Sequence, residues 1–206
     1  MKKILRIISI DGTRGSGKTS QIAMLSKYFK AAGLQCLTLK AGDDVKKGLE
    51  AISLTESFLT KDPKAIVILD GSVARPMVTD ITTGMSTPSV TDKYRELTHS
   101  YEKINHHYGV ACFLIVMDDI QECNRRISKF KESTGTPSQV IDNLSMESEI
   151  VNGMRFFDNH ITSKNIKFHV INIHPKNSMI EINKAIMDRL SEKFEFPKIK
   201  KDSDDW

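Results

Sequence analysis

The stretch Ile4-Leu5-Arg6-Ile7-Ile8-Ser9-Ile10-Asp11-Gly12-Thr13-Arg14-Gly15-Ser16-Gly17-Lys18-Thr19 decides how the chain is read. Ile4–Ile10 is dense in branched apolar side chains and has strand length, so it reads as a buried β-strand. Gly12 to Thr19 then satisfies G-x-x-x-x-G-K-[ST] at every fixed position. Ile22, Leu25 and Phe29 follow on one face of a helix. Strand, glycine-rich turn and helix, in that order, are the context in which the pattern has a mechanism. Gly12, Gly15 and Gly17 let the backbone curl so that successive N–H groups face a phosphate. The helix N-terminus behind them adds a positive dipole. In such a loop Lys18 reaches the β- and γ-phosphates and the Thr19 hydroxyl ligates Mg²⁺. ATP and Mg²⁺ are the expected ligands, with Gly12, Thr13, Arg14, Gly15, Ser16, Gly17, Lys18 and Thr19 around the triphosphate. The bland alternative is a strand-to-helix turn with a chance Gly-Lys-Thr.

Outward from this point, strand-length apolar runs alternate with helix-period segments, the pattern of a parallel sheet covered by helices. Gly33 closes the first helix and Leu34–Leu39 is a second strand. A helix from Val45 to Leu59 is broken at Asp62-Pro63, and Ala65–Leu69 is a third strand ending at Asp70. Gly71 to Pro88, with Pro76, Gly84 and several threonines, reads mostly as loop. Tyr94, Leu97, Tyr101, Ile104 and Tyr108 keep helical spacing, ended by Gly109, and Val110–Met117 is the fourth strand. A basic helix spans about Gln121 to Glu132. Ile150, Met154, Phe157 and Ile161 mark another helix, Ile166–Ile173 a fifth strand, and Ile180, Ala185, Ile186 and Leu190 a last helix.

With 206 residues the chain fits one domain, assigned to 1–197, with a charged and frayed tail at 198–206. The net charge of +4 and pI of about 8.9 suit anionic ligands, although solvated lysines explain them equally well. Nucleic-acid binding is allowed but not indicated. Cys36, Cys112 and Cys123 are scattered, which suggests small buried hydrophobes in a reducing compartment. The longest apolar run is far shorter than the ~20 residues a membrane helix needs. A cytoplasmic location is expected. No histidine falls in a zinc-ligand spacing.

Asp70 is the expected magnesium-side acid, because a hydrophobic strand carries it to the sheet edge where α/β ligands bind. Asp118, after the fourth strand, is its rival; either reads blandly as a solvated carboxylate. A GTPase would need N-K-x-D, whereas Asn183-Lys184 is followed by Ala185-Ile186. A generic ATPase and a catalytically dead nucleotide-binding module complete the competing classes.

Taken together, Ile10 to Gln21, Val116 to Ile127 and the closing strand-loop-helix Val170 to Leu190 resemble the thymidylate kinases and related deoxynucleoside kinases. The resemblance implies a P-loop NTPase fold, three-layer α/β/α, with a five-stranded parallel sheet and a basic helical lid at about 121–140. It implies a lid arginine, which matches Arg126, neutralising the transferring phosphoryl group beside Lys18 and Arg14. Lys129 and Lys131 are weaker candidates, and a solvated basic helix is the plain alternative. It also implies an adenine-contact loop near His174-Pro175-Lys176-Asn177 and a homodimer. The chain departs from the pattern on the acceptor side. Arg14 stands where an acidic residue is usual, Asp70-Gly71 replaces Asp-Arg, and Leu39-Lys40-Ala41-Gly42 replaces Arg-Glu-Pro-Gly. The function implied is transfer of a γ-phosphate from ATP to a deoxynucleoside monophosphate, for which Arg14, Lys40 and Arg75 are the nearby cations. The alternative is a hydroxyl acceptor, a free deoxynucleoside or a hydroxymethylated pyrimidine in DNA, served by a carboxylate such as Asp11, Asp43 or Asp44. Asp11, Lys40 and Arg75 are thus the acceptor-side candidates. Asp43 and Asp44 also suit a helix start.

Overall fold

A computed structural model describes residues 2–41, 44–134, 144–155 and 167–197 of the chain. The strands are β1 (Lys3–Gly12), β2 (Cys36–Lys40), β3 (Ile66–Asp70), β4 (Gly109–Val116), β5 (Phe168–Asn172) and a two-residue β6 (Phe194–Glu195). The helices are α1 (Lys18–Ala31), α2 (Val45–Lys61), α3 (Ala74–Thr82), α4 (Thr87–Lys93), α5 (Arg95–His107), α6 (Ile120–Thr134), α7 (Leu144–Arg155) and α8 (Met179–Lys193).

The sheet runs β2-β3-β1-β4-β5 with every pairing parallel, and β6 adds a short pairing to the start of β1. The expected five parallel strands are therefore present, extended by a small sixth. Ile7, Ile8, Ile10, Ile66, Val67 and Ile68 are at most 1% exposed, as strands covered on both faces require. Truncating one of them to alanine should cost about 2–5 kcal/mol.

Side chains alternate across the sheet, and this parity sets up the site. Ile8, Ile10, Ile66 and Ile68 pack with Ile22, Leu25 and Phe29 of α1 and with Ile182, Ile186 and Leu190 of α8. Ile7, Val67 and Leu69 pack in the opposite layer, which holds buried residues of α2, α3, α4, α5 and α7. Asp70 follows the parity of Ile66 and Ile68 and faces the α1 layer. Asp11 follows Ile7 and faces α3.

The stretch read as loop between Gly71 and Pro88 contains α3 and the start of α4. Its prolines sit in first helical turns, Pro76 in α3 and Pro88 in α4. First-turn N–H groups have no intrahelical partner, so proline starts a helix there at little cost. Met77, Val78 and Val90 are then buried. Gly109 opens β4 rather than ending α5. Ile180 is 73% exposed, and Ile182 takes the core place assigned to it. Cys112 and Cys123 are buried, but Cys36 only half so. Asp44 caps α2 by accepting from the Lys47 N–H. Asp43, Phe157, Ile161, the segment 135–140 and the tail 198–206 lie outside the described residues.

Candidate active site

Gly12, at the end of β1, has φ 141°, and Gly15 and Gly17 have φ 78° and 91°. A Cβ on Gly12 would lie 1.9 Å from the Ile115 carbonyl oxygen of β4, and one on Gly15 would lie 2.7 Å from the Cys123 carbonyl oxygen of α6. The loop thus curls tightly between two neighbouring elements, and only glycine fits at these two points. Thr13 pins it further. Its N–H donates to Ile115 O at 3.0 Å, and its Oγ1 accepts from the Met117 N–H at 3.2 Å. Ser16 is fully buried and its N–H donates to Thr13 O at 3.2 Å. Lys18 opens α1, and its Nζ reaches back across the turn to Gly12 O and Thr13 O, both at 2.9 Å. Its ammonium therefore stands over a ring of backbone, where a phosphate would meet it. Thr19 and Arg14 are exposed on the rim.

The acceptor-side candidates separate into two places. Register puts Ile10, Asp70 and Lys40 side by side across β1, β3 and β2. Lys40 is exposed and Asp70 half-buried, both at the carboxyl edge of the sheet. Asp11 and Arg75 lie on the other face and pair with each other. Asp11 is 1% exposed; its Oδ1 accepts from Arg75 Nε at 2.9 Å, from Arg75 Nη2 at 2.8 Å and from the Gly12 N–H at 2.7 Å. Arg75 Nη2 also donates to Gly12 O at 2.8 Å. Asp118 is exposed in the connection from β4 to α6.

Helix α6 begins beside the loop. Asp119 caps it by accepting from the Glu122 N–H at 2.9 Å. Glu122 accepts from Arg125 Nε at 2.6 Å and from Arg126 Nε at 2.7 Å, and Arg126 Nη2 donates to Pro175 O at 2.9 Å. These bonds, Arg125 first and Arg126 second, hold the Glu122 carboxyl down at about 2. Arg126 thereby ties α6 to the β5–α8 connection. Cys123 is buried between helix and loop, and burial pushes its thiol up to about 11 against the opposing field of Arg126. From the far side the Met179 side chain covers Gly17, where an added Cβ would come within 2.8 Å of it.

No family model matches the sequence, and no curated protein matches it. Solved structures do. Polyphosphate kinase 2 from Arthrobacter aurescens is similar over 97% of this chain and 73% of its own, with a TM-score of 0.57 and 14% identity. Deoxyadenosine kinase from M. mycoides, solved with bound dATP, is similar over 90% of this chain and 99% of its own, with a TM-score of 0.50 and 15% identity. The fold is that of the P-loop kinases.

Within the P-loop kinase fold, the loop from Gly12 to Thr19 and the ends of β2 and β3 meet at one edge, as sequence reasoning expects. Two ties escape it, Asp11 with Arg75 and Arg126 with Pro175. Their partners are 64 and 49 residues apart, and no short pattern joins them. The Thr13 anchor to β4 is a third. Its signal lies in the sequence, since a loop that must sit against β4 needs a side chain able to bond there. No helix among the described residues is long and apolar enough to cross a membrane.

Proposed function

We propose that the chain is an ATP-dependent kinase that transfers the γ-phosphate to a deoxynucleoside monophosphate. The observation that carries this reading is the glycine loop closed over by Lys18, whose Nζ bridges two loop carbonyls. An oxygen of the acceptor's phosphate attacks the γ-phosphorus. The bond to the β–γ bridging oxygen breaks, and ADP leaves with that electron pair. Lys18 and the loop amides hold the β- and γ-phosphates, and the dipole of α1 adds to them. The donor base belongs beside Arg126 and the His174–Asn177 connection, with Met179 beneath. Arg14 and Lys40, exposed on the rim, meet the acceptor's charge.

The chain's oxygen donors fit magnesium, a hard cation that takes much of its coordination from phosphates and water. Thr19 and Asp70 would hold it, and when bound it neutralises charge developing on the transferring group. Asp70 shares a sheet face with α1, whose second residue is Thr19, whereas Asp11 faces away. That parity favours Asp70 over Asp11.

A hydroxyl acceptor is the second reading, and one observation favours it. The charge of Arg75 is already met by buried Asp11, which leaves fewer cations for an incoming phosphate. In this second reading half-buried Asp70 would serve as the base for a hydroxyl in place of its role toward magnesium. The test is to incubate the protein with γ-labelled ATP and a panel of monophosphates, nucleosides and hydroxymethylpyrimidine DNA. Label on a monophosphate supports the first reading, and label on a nucleoside or on DNA supports the second. Label released only to water rejects both. Lys18→Ala should abolish whichever transfer is seen.

A further inference from the structure

Gln21 lies one helical turn past Gly17 and is fully buried. Its N–H donates to Gly17 O at 3.1 Å, which joins the first turn of α1 to the phosphate loop. Its side chain reaches α8: Nε2 donates to Met179 O at 2.9 Å and to Met179 Sδ at 3.7 Å, across 158 residues of sequence. One residue thus holds the loop through its backbone and the end of the β5–α8 connection through its amide. We infer that Gln21 is a positioning residue for the donor base: it fixes the start of α8, and with it the His174–Asn177 connection, against the phosphate loop. The inference rests on the reading of that connection as the base side of a kinase's donor site.

Three features support this role over simple packing. Gln21 Oε1 is buried with no hydrogen-bond partner among the described residues. A buried carbonyl left unpaired is destabilising, and a leucine would fill similar space without one. The amide is therefore accounted for by what its NH₂ group holds. Secondly, the connection is anchored at both ends and tied within. Pro175 O accepts from Arg126 Nη2 at 2.9 Å, and Met179 O accepts from Gln21. Between them the His174 N–H donates to Asn177 Oδ1 at 2.6 Å, and Ser178 and Glu181 form a capping box. A segment braced in this way moves as a unit, so each anchor sets the place of the whole. Thirdly, the Gln21 amide touches the Met179 thioether, which lies over Gly17, where an added Cβ would come within 2.9 Å of Sδ. Methionine is flexible, and the amide selects one arrangement of it. A nucleotide with its phosphates in the loop then finds the floor for its base already in place, which lowers the ordering cost of binding.

The test compares two ligands by calorimetry, Mg-ATP and magnesium tripolyphosphate, which carries phosphates without a base. The wild type, Gln21→Leu and Lys18→Ala are measured with each. Gln21→Leu should weaken Mg-ATP about three- to tenfold, the scale of one lost neutral hydrogen bond. It should change tripolyphosphate affinity by less than about 1.5-fold, because no hydrogen bond to phosphate is lost. A residue that only fills the core would weaken both ligands alike. Equal losses for the two ligands, or no loss for Mg-ATP, overturn the inference while leaving the phosphate-loop reading intact. Lys18→Ala should remove binding of both ligands. If it binds tripolyphosphate as tightly as the wild type, the phosphate-loop reading fails and the inference goes with it. Should Gln21→Leu fail to fold, Gln21→Met, unbranched and of similar length, makes the same comparison.

Discussion

Gly12 to Thr19 and the pair of strand ends at Lys40 and Asp70 meet at the same edge of the sheet, yet they are built from different materials. The loop is backbone held by backbone. Gly12 and Thr13 lie against Ile115, Gly15 against Cys123, and Gly17 under Met179. The strand ends present side chains, with Lys40 exposed and Asp70 half-buried. Phosphate is the same in every nucleotide, so a surface that binds it can be rigid and made of peptide groups. An acceptor varies, and side chains at strand ends can change without disturbing the core. If the proposed function holds, substitutions in the loop damage stability and donor binding together, whereas one at Lys40 alters acceptor use alone.

The largest effect should come from Gly12→Ala. Its Cβ would sit 1.9 Å from Ile115 O, at a backbone φ of 141°. Overpacking costs about 1–3 kcal/mol and a sparsely populated backbone conformation about the same again, so a loss of roughly 3 kcal/mol or more is expected. Urea unfolding and Mg-ATP calorimetry should show both losses at once. A variant as stable as the wild type that still binds nucleotide would mean the loop is not locked against β4.

Arg126→Ala comes next, and it asks where the donor half ends. The side chain is held by Glu122 and Pro175 O, so its removal should loosen the β5–α8 connection. Affinity for Mg-ATP should fall about tenfold, the scale of one charge-assisted hydrogen bond. Affinity for tripolyphosphate, which lacks the base, should stay within about twofold on the same reasoning. Equal losses for the two ligands would instead make Arg126 the phosphate-neutralising arm implied by its place in the sequence.

The same contrast decides which parts of the molecule are legible in the amino-acid sequence. The phosphate loop is legible because its requirements are local: glycine at three positive-φ positions, lysine at the helix start, a buried strand ahead of it. The core strands are legible for a similar reason, since burial on both faces leaves an unbroken apolar run. Helix α3 is not, because Pro76 signals a break in general and a helix start only in the first turn. Grouping Asp11 with Lys40 and Arg75 also misses a physical point. Alternation along β1 sends Asp11 to the face opposite Ile10, away from the side where Asp70 and Lys40 share their register. Arg75 cannot be placed until α3 is known to exist.

Lys40→Ala probes the other half. The residue is exposed at the end of β2, so folding stability should change by no more than about 0.5 kcal/mol. Mg-ATP affinity should be unchanged. If Lys40 meets an acceptor phosphate, the KM of the monophosphate labelled in the panel should rise about tenfold, as expected for one exposed charge-assisted contact. A weakened donor affinity would erase the proposed division between the halves.

The smallest effect concerns pH, and it tests whether the donor half is held together by charge at its margin. The Glu122 carboxyl stands at about 2 in the folded chain, against an ordinary value of 4.5, because Arg125 and Arg126 donate to it. A carboxylate whose folded value is depressed contributes its stability in full above the ordinary value. It loses that contribution as pH falls toward the folded value. The stability drawn from the bonds to Arg125 and Arg126 should therefore be full from neutral pH down to about 4.5 and fade between there and about 2, while the folded chain keeps the bonds themselves until the pH nears 2. Glu122→Gln carries no titrating group at this position. Its stability deficit against the wild type, followed by urea unfolding at a series of pH values, should be constant above about pH 5 and shrink below it. Salt should reduce the deficit as well, since screening acts on pairs near solvent. A deficit that is the same at about pH 3 as at neutral pH would show that Glu122 supports α6 by packing rather than by charge. The link from α6 to Pro175 would then rest on the Arg126–carbonyl bond alone.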